Sequence, residues 1–146
     1  ILDTGGGVFN ALQYFNESFL CVNPDTIWNK NYIKELKNME NIFFLNKKKC
    51  CLLVVDKSKS FDKNLKGDFN LNNNLITRNK EENLRYIYTG LQIFNPDAFL
   101  SVNEKVFSIN KIWNELIKNE QLLALKSDID FLHISNLDIY KKLNIK

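Results

Sequence analysis

At 146 residues and 45% apolar content, the chain has the size of one ordinary domain and enough nonpolar side chains for a sizeable core. A balance of 20 basic against 17 acidic residues leaves a charge of +3, too small an excess to argue for nucleic acid, and no apolar stretch approaches the roughly 20 residues that cross a bilayer. Three cysteines, Cys21, Cys50 and Cys51, sit in apolar runs, which fits reduced, buried thiols better than disulfides or metal ligands. With no signal peptide at the start, these features predict a soluble, cytoplasmic protein with neither nucleic-acid nor membrane partners.

The first pattern is Gly5-Gly6-Gly7, expected to form a tight turn feeding a helix in which Val8, Leu12 and Phe15 share a face. Phe19 to Val22 is a short apolar run that stops at the breaker Asn23-Pro24-Asp25. Tyr32, Ile33 and Leu36 give helical spacing over 29–39, and Cys50 to Val55 is a second, β-branched apolar run. A helix between two such runs predicts a right-handed βαβ unit in a parallel sheet covered on both faces.

Further on, Asp68–Leu71 and Leu75–Thr77 flank three asparagines and predict an antiparallel hairpin. Arg85–Phe94 predicts a strand interrupted by Gly90, a position that fits a bulge, close ligand approach or simple backbone packing. Ile109, Trp113, Leu116 and Ile117 mark a helix with Ser108 as its cap; short strands are expected at Leu122–Leu125 and Asp130–Ile134, and Asn136 caps a last helix. The expected architecture is a single α/β domain over 1–146 with antiparallel additions.

Two local signals point towards chemistry, each with a plainer structural reading. The glycines after Thr4 fit either a ligand-binding turn or ordinary packing. Asp25, at the carboxyl end of an apolar strand, stands where open α/β sheets gather ligands, although a turn aspartate capping the next segment fits as well. The run Lys47-Lys48-Lys49 reads as a solvated loop.

The order of blocks adds to this. Leu2-Asp3-Thr4-Gly5-Gly6-Gly7-Val8-Phe9-Asn10-Ala11-Leu12 followed by Phe19-Leu20-Cys21-Val22-Asn23-Pro24-Asp25 resembles the Leu-Glu-Thr-Gly-Gly-Gly…Asn-Ala-Leu and Phe-Leu-x-Val-Asn-Gly-Asp segments of bacterial sugar-1-phosphate nucleotidyltransferases. The branch it is most similar to is the N-acetylmuramate 1-phosphate uridylyltransferase and mannose-1-phosphate guanylyltransferase type. Gly67-Asp68-Phe69-Asn70-Leu71, Arg85 to Phe94 and Asn95-Pro96-Asp97-Ala98-Phe99 continue the resemblance along nearly the whole chain.

The resemblance implies a Rossmann-like mixed sheet of the glycosyltransferase-A type and nucleotidyl transfer from UTP or GTP to a sugar 1-phosphate. It assigns nucleotide contacts to Thr4, Gly5, Gly6 and Gly7, substrate contacts to Asn23, Thr89 and Gly90, and a magnesium-binding catalytic carboxylate to Asp25. Where the family carries its second metal-binding aspartate, this chain has His133, a nitrogen donor that tilts the site towards manganese or zinc if it binds metal at all. Pro24 replaces the family glycine before Asp25, which fixes φ and removes an N–H. The resemblance further implies a partial domain lacking the family's first strand and its Gly-x-Gly-Thr-Arg phosphate loop, with two expectations: a separate N-terminal chain that restores them, or a non-catalytic remnant.

Overall fold

The structure, a computed structural model, describes residues 2–79 and 81–144. It runs α1 (Asp3–Ala11), β1 (Phe19–Val22), α2 (Tyr32–Asn46), β2 (Cys50–Asp56), β3 (Asn70–Asn72), β4 (Leu75–Thr77), β5 (Tyr86–Phe94), α3 (Asn110–Lys118), β6 (Leu122–Ser127) and α4 (Leu137–Asn144). The strands form one mixed sheet in the order β1-β5-β2-β6-β4-β3, in which β2 and β6 are parallel and the other pairs antiparallel.

The apolar run of β2 has no alternation because both of its faces are covered. Cys50, Leu52 and Val54 enter a core shared with Ile112, Trp113 and Leu116 of α3 and with the inner side of α1. Cys51 and Leu53 enter a second core with Tyr32, Met39 and Phe43 of α2. All three cysteines are free thiols, and burial pushes Cys50 and Cys51 up, the latter to about 12.

Helix α2 outlasts the expected end at residue 39 because its apolar stripe continues to Phe43; it stops where Lys47 turns left-handed and donates its N–H to the Phe43 carbonyl at 3.1 Å. The hairpin forms as expected, with Asn73 at φ 53°. Ser108 Oγ accepts the Asn110 N–H at 3.3 Å, and Asn136 Oδ1 accepts the Ile139 N–H at 3.0 Å. Both helix starts are therefore held by the side chains expected to cap them.

Three expectations change. The glycines are not a turn but the middle of α1. Gly6 is buried there against residues 105–107, donating its N–H to the Phe107 carbonyl at 3.0 Å, and a Cβ on it would collide with the Lys105 carbonyl. The run β1-α2-β2 does not lie in a parallel sheet: its two strands run the same way, but β5 lies between them and pairs antiparallel with both. Segment 130–134 is not a strand: Phe131 bridges in parallel to Ser60 while His133 bridges antiparallel to Thr26, so neighbouring residues serve two different loops and no ladder propagates.

Among the described residues no helix is long and apolar enough to cross a membrane. The sheet's two margins differ. The outer strand β3 is three residues long and carries asparagine at both ends. On β1, by contrast, Leu20 and Val22 are 42% and 45% exposed on a strand bonded along one side only. Such an edge is a template for another strand. The 146-residue chain is expected to self-associate as concentration rises, and Val22→Lys should shift it towards monomer in analytical ultracentrifugation. A chain monomeric at every concentration, with a sharp two-state melt, would count against this.

Candidate functional site

The site begins with an irregularity in β5. Leu52 pairs with Gln92 and Val54 with Tyr88, so Leu53 alone stands opposite Thr89, Gly90 and Leu91. Strand β5 bulges there, and Gly90 takes φ +93°. Thr89 is fully buried and tied inward, its Oγ1 donating to the Leu53 carbonyl at 3.0 Å.

The end of β1 and the turn after it close onto this bulge. Asn23 N–H donates to the Gly90 carbonyl at 2.8 Å, and Thr26 Oγ1 donates to the Thr89 carbonyl at 2.7 Å across 63 residues of sequence. Trp28 Nε1 donates to the Asn23 carbonyl at 2.9 Å, pinning the far side of the turn. A Cβ on Gly90 would sit 2.8 Å from the Asn23 Cβ and 3.2 Å from Thr26 Oγ1, so glycine here permits the close approach of the two segments.

Segment 131–134 completes the wall. Ile27 N–H donates to the Leu132 carbonyl and Ile134 N–H to the Asp25 carbonyl, each at 2.8 Å. These bonds bring His133 Nε2 to 3.2 Å from Asp25 Oδ2, an ion pair when the imidazole is protonated. The ring stacks on Phe131 with centroids 5.7 Å apart, and its buried Nδ1 has no hydrogen-bond partner among the described residues. Asp25 remains half-exposed, its carboxylate reaching a cavity of about 230 Å³ whose walls include Asn23, Thr89, Gly90 and His133.

A second cavity, about 420 Å³, shares Asn23 and Tyr88 with the first and extends towards Thr4, Cys21, Gln92, Ser108 and Trp113. Thr4 Oγ1 accepts the Ile109 N–H at 3.1 Å, which anchors α1 to the start of α3. The cleft thus gathers Thr4, Asn23, Asp25, Thr89, Gly90 and His133. Gly5, Gly6 and Gly7 line neither part of it: Gly5 abuts Phe107, Gly6 borders a separate cavity of about 270 Å³ with Phe9, Asn10 and Gln13, and Gly7 faces open space. A further cavity, about 590 Å³, lies between the start of α2 and residues 128–132 and is lined by none of the expected site residues.

Sequence reasoning assigned no role to four further lining residues, Lys66, Asp68, Tyr88 and Gln92. Asp68 Oδ2 accepts the Tyr88 N–H at 2.9 Å; burial raises its carboxyl above the usual range, opposed by that N–H and by the Arg78 charge. A glycine before an aspartate ahead of a strand is too common a pattern to reveal this. The burial arises only when residues 65–68 fold over β5.

This mixed sheet with its covering helices is the fold of a set of solved structures that includes nucleotidyltransferases. HddC from Yersinia pseudotuberculosis matches over 99% of this chain and 63% of its own, at 18% identity and TM-score 0.66, and has also been solved with GMP-PN. A structure described as a glucose-1-phosphate thymidylyltransferase from Bacillus anthracis, in complex with sucrose, matches at 15% identity and TM-score 0.66 over 97% of this chain and 59% of its own. The inositol-1-phosphate CTP transferase from T. maritima matches at 16% and 0.70, over 98% and 62%. The chain spans about three fifths of the length of these structures. No protein-family model and no curated protein matches it.

The two kinds of glycine should separate in stability measurements. Gly90→Ala forces a side chain into a left-handed backbone and against Asn23, and is expected to cost about 1–3 kcal/mol in urea denaturation. Gly7→Ala, in a helix with open space around the new methyl, should be neutral or stabilise by up to about 1 kcal/mol. Equal effects at both positions would contradict the role given to the bulge.

Proposed function

We propose that the chain is part of a cytoplasmic enzyme that transfers a nucleotidyl group from a nucleoside triphosphate, UTP or GTP, to a sugar 1-phosphate with release of pyrophosphate. The observation that carries this reading is the half-exposed Asp25 carboxylate at the end of β1, held against His133 in one cleft with Asn23, Thr89 and Gly90. The resemblance of the sequence blocks and the likeness of fold support it independently.

In this reading the sugar phosphate is oriented by Asn23 and the Thr89–Gly90 bulge, and the nucleotide lies against the start of α1 at Thr4, while Gly5 to Gly7 shape that helix without lining the cleft. Lys66 offers positive charge to phosphate oxygens. Catalysis of this kind is mostly alignment and charge neutralisation.

Among the described residues no group of three or more His, Cys, Asp or Glu could hold a metal. Magnesium carried on a triphosphate needs only one or two protein carboxylates, however, and Asp25 fits that requirement. His133 adds a nitrogen donor more suited to manganese. The ion, when bound, would supply neutralising charge to the phosphates.

Pro24 and His133 stand where the resembled family carries a glycine and a carboxylate, which favours a second reading, a non-catalytic remnant. The exposed edge of β1 supports a further element of the proposal, a separate chain that pairs there and supplies the phosphate-binding loop. Assays of pyrophosphate release decide among these. The chain alone should be silent. Addition of an N-terminal segment from a related enzyme together with His133→Asp should give magnesium-dependent release, and Asp25→Ala should lower it by on the order of a hundredfold or more. Silence under every combination would leave the remnant reading; Asp25-dependent release from the unmodified chain alone would remove the need for the second chain.

A further inference from the structure

Several polar side chains around the cavity of about 230 Å³ are already committed to the protein itself. Thr26 and Thr89 direct their hydroxyls to main-chain carbonyls at 2.7 and 3.0 Å, and His133 turns its Nε2 to Asp25. The side chains that remain open to a ligand are those of Asn23, Asp25, Lys66 and Asp68. The proposed chemistry uses the first three and gives Asp68 no task. The bonds around Asp68 define what it can offer. Its N–H donates to the Tyr86 carbonyl at 2.7 Å and its carbonyl accepts the Arg78 Nε–H at 3.1 Å, so both main-chain groups are committed. In the side chain, Oδ2 accepts the Tyr88 N–H at 2.9 Å, which holds the carboxylate in one orientation. The other oxygen, Oδ1, accepts no hydrogen bond among the described residues and is not sealed from solvent, so it is the group through which Asp68 meets the cavity. Burial raises this carboxyl above the usual range, as for a carboxylate that has lost more hydration than its N–H bond returns.

An ionised carboxylate only accepts, so the group that complements Oδ1 is a donor. A phosphate, negative and an acceptor throughout, is the wrong partner. A cation is better placed at Asp25, which is half-exposed, than at Asp68, which is more buried and whose charge is already opposed by Arg78. A nucleobase has donors too, but the start of α1, where the nucleotide is proposed to lie, lines the other cavity. The donor that remains is a neutral hydroxyl, and a hydrogen bond from a hydroxyl to a carboxylate is among the stronger kinds.

We propose that Asp68 is a specificity-determining residue whose Oδ1 accepts a ring hydroxyl of the sugar. The Tyr88 N–H, adjoining the β5 bulge, positions the carboxylate for this. The assignment rests on the sugar-phosphate reading of the cleft and names a residue that reads the sugar.

Binding measured by calorimetry tests it without requiring turnover. The probes are glucose 1-phosphate, mannose 1-phosphate and N-acetylglucosamine 1-phosphate, the deoxy analogues of whichever binds most tightly, and inorganic phosphate. Asp68→Asn keeps the volume and an oxygen for the Tyr88 N–H while turning an NH2 group to the place of Oδ1, and thermal melts verify that it folds. It is expected to weaken the best sugar 1-phosphate by about ten- to a hundredfold, as loss of a hydrogen bond to a charged group does. Inorganic phosphate should bind the variant at least as tightly as the native chain, because a negative charge has gone. One deoxy analogue should show the same loss against the native chain and no further loss against Asp68→Asn, since both changes remove one bond. Losses that simply add, or an equal weakening of inorganic phosphate, overturn the assignment and leave Asp68 a structural residue. Deoxy analogues that all bind the native chain as tightly as the parent sugar overturn it without recourse to the variant. If no sugar 1-phosphate binds the native chain at all, the sugar-phosphate reading itself fails and the assignment with it.

Discussion

Everything in the cleft depends on how closely β5 can approach the turn after β1. With Gly90 in a left-handed conformation, the strand delivers two carbonyls to that turn, one to the Asn23 amide and one to the Thr26 hydroxyl. The turn, so fixed, accepts and donates through Asp25 and Ile27 to residues 132 and 134, and His133 arrives beside Asp25 as a consequence. The pair is thus the last link of a chain of backbone bonds that begins at the bulge. Its geometry is set by main chain, which a surface substitution does not readily disturb.

The cleft is chemically divided. At one end Asp25, His133, Lys66 and Asp68 gather ionisable side chains. At the other, Gln92, Tyr88 and Trp113 make a neutral environment, buried and hydrogen-bonded through the indole. Asn23 and Tyr88 belong to both.

The legible parts of the fold were those with local causes. The doubly buried β2 announced itself as an unbroken apolar run, the hairpin through its asparagines, and α3 and α4 through Ser108 and Asn136. Gly90 was legible as a special position, fitting a bulge, close ligand approach or backbone packing alike, and the structure shows both a bulge there and close packing against Asn23. The placement of β5 between β1 and β2 was not, since strand order is decided by pairings far apart in sequence. Nor was the place of Gly5 and Gly6, whose meaning depends on residues 105–107 closing over them. The gathering of Asp25 with His133 was visible only through resemblance to a family. No local pattern in 130–134 foretells two separate bridges.

The two adjacent thiols of β2 have a consequence for how the molecule opens. Cys50 faces the core beneath α1 and α3, Cys51 the core beneath α2, and both are fully buried with their ionisation suppressed. Because the thiolate is the reactive form, neither can be alkylated from the native state. Each becomes reactive only when its own side of the sheet peels away. One dipeptide thus carries two clocks, and the ratio of their labelling rates would tell whether the two faces separate together or one after the other.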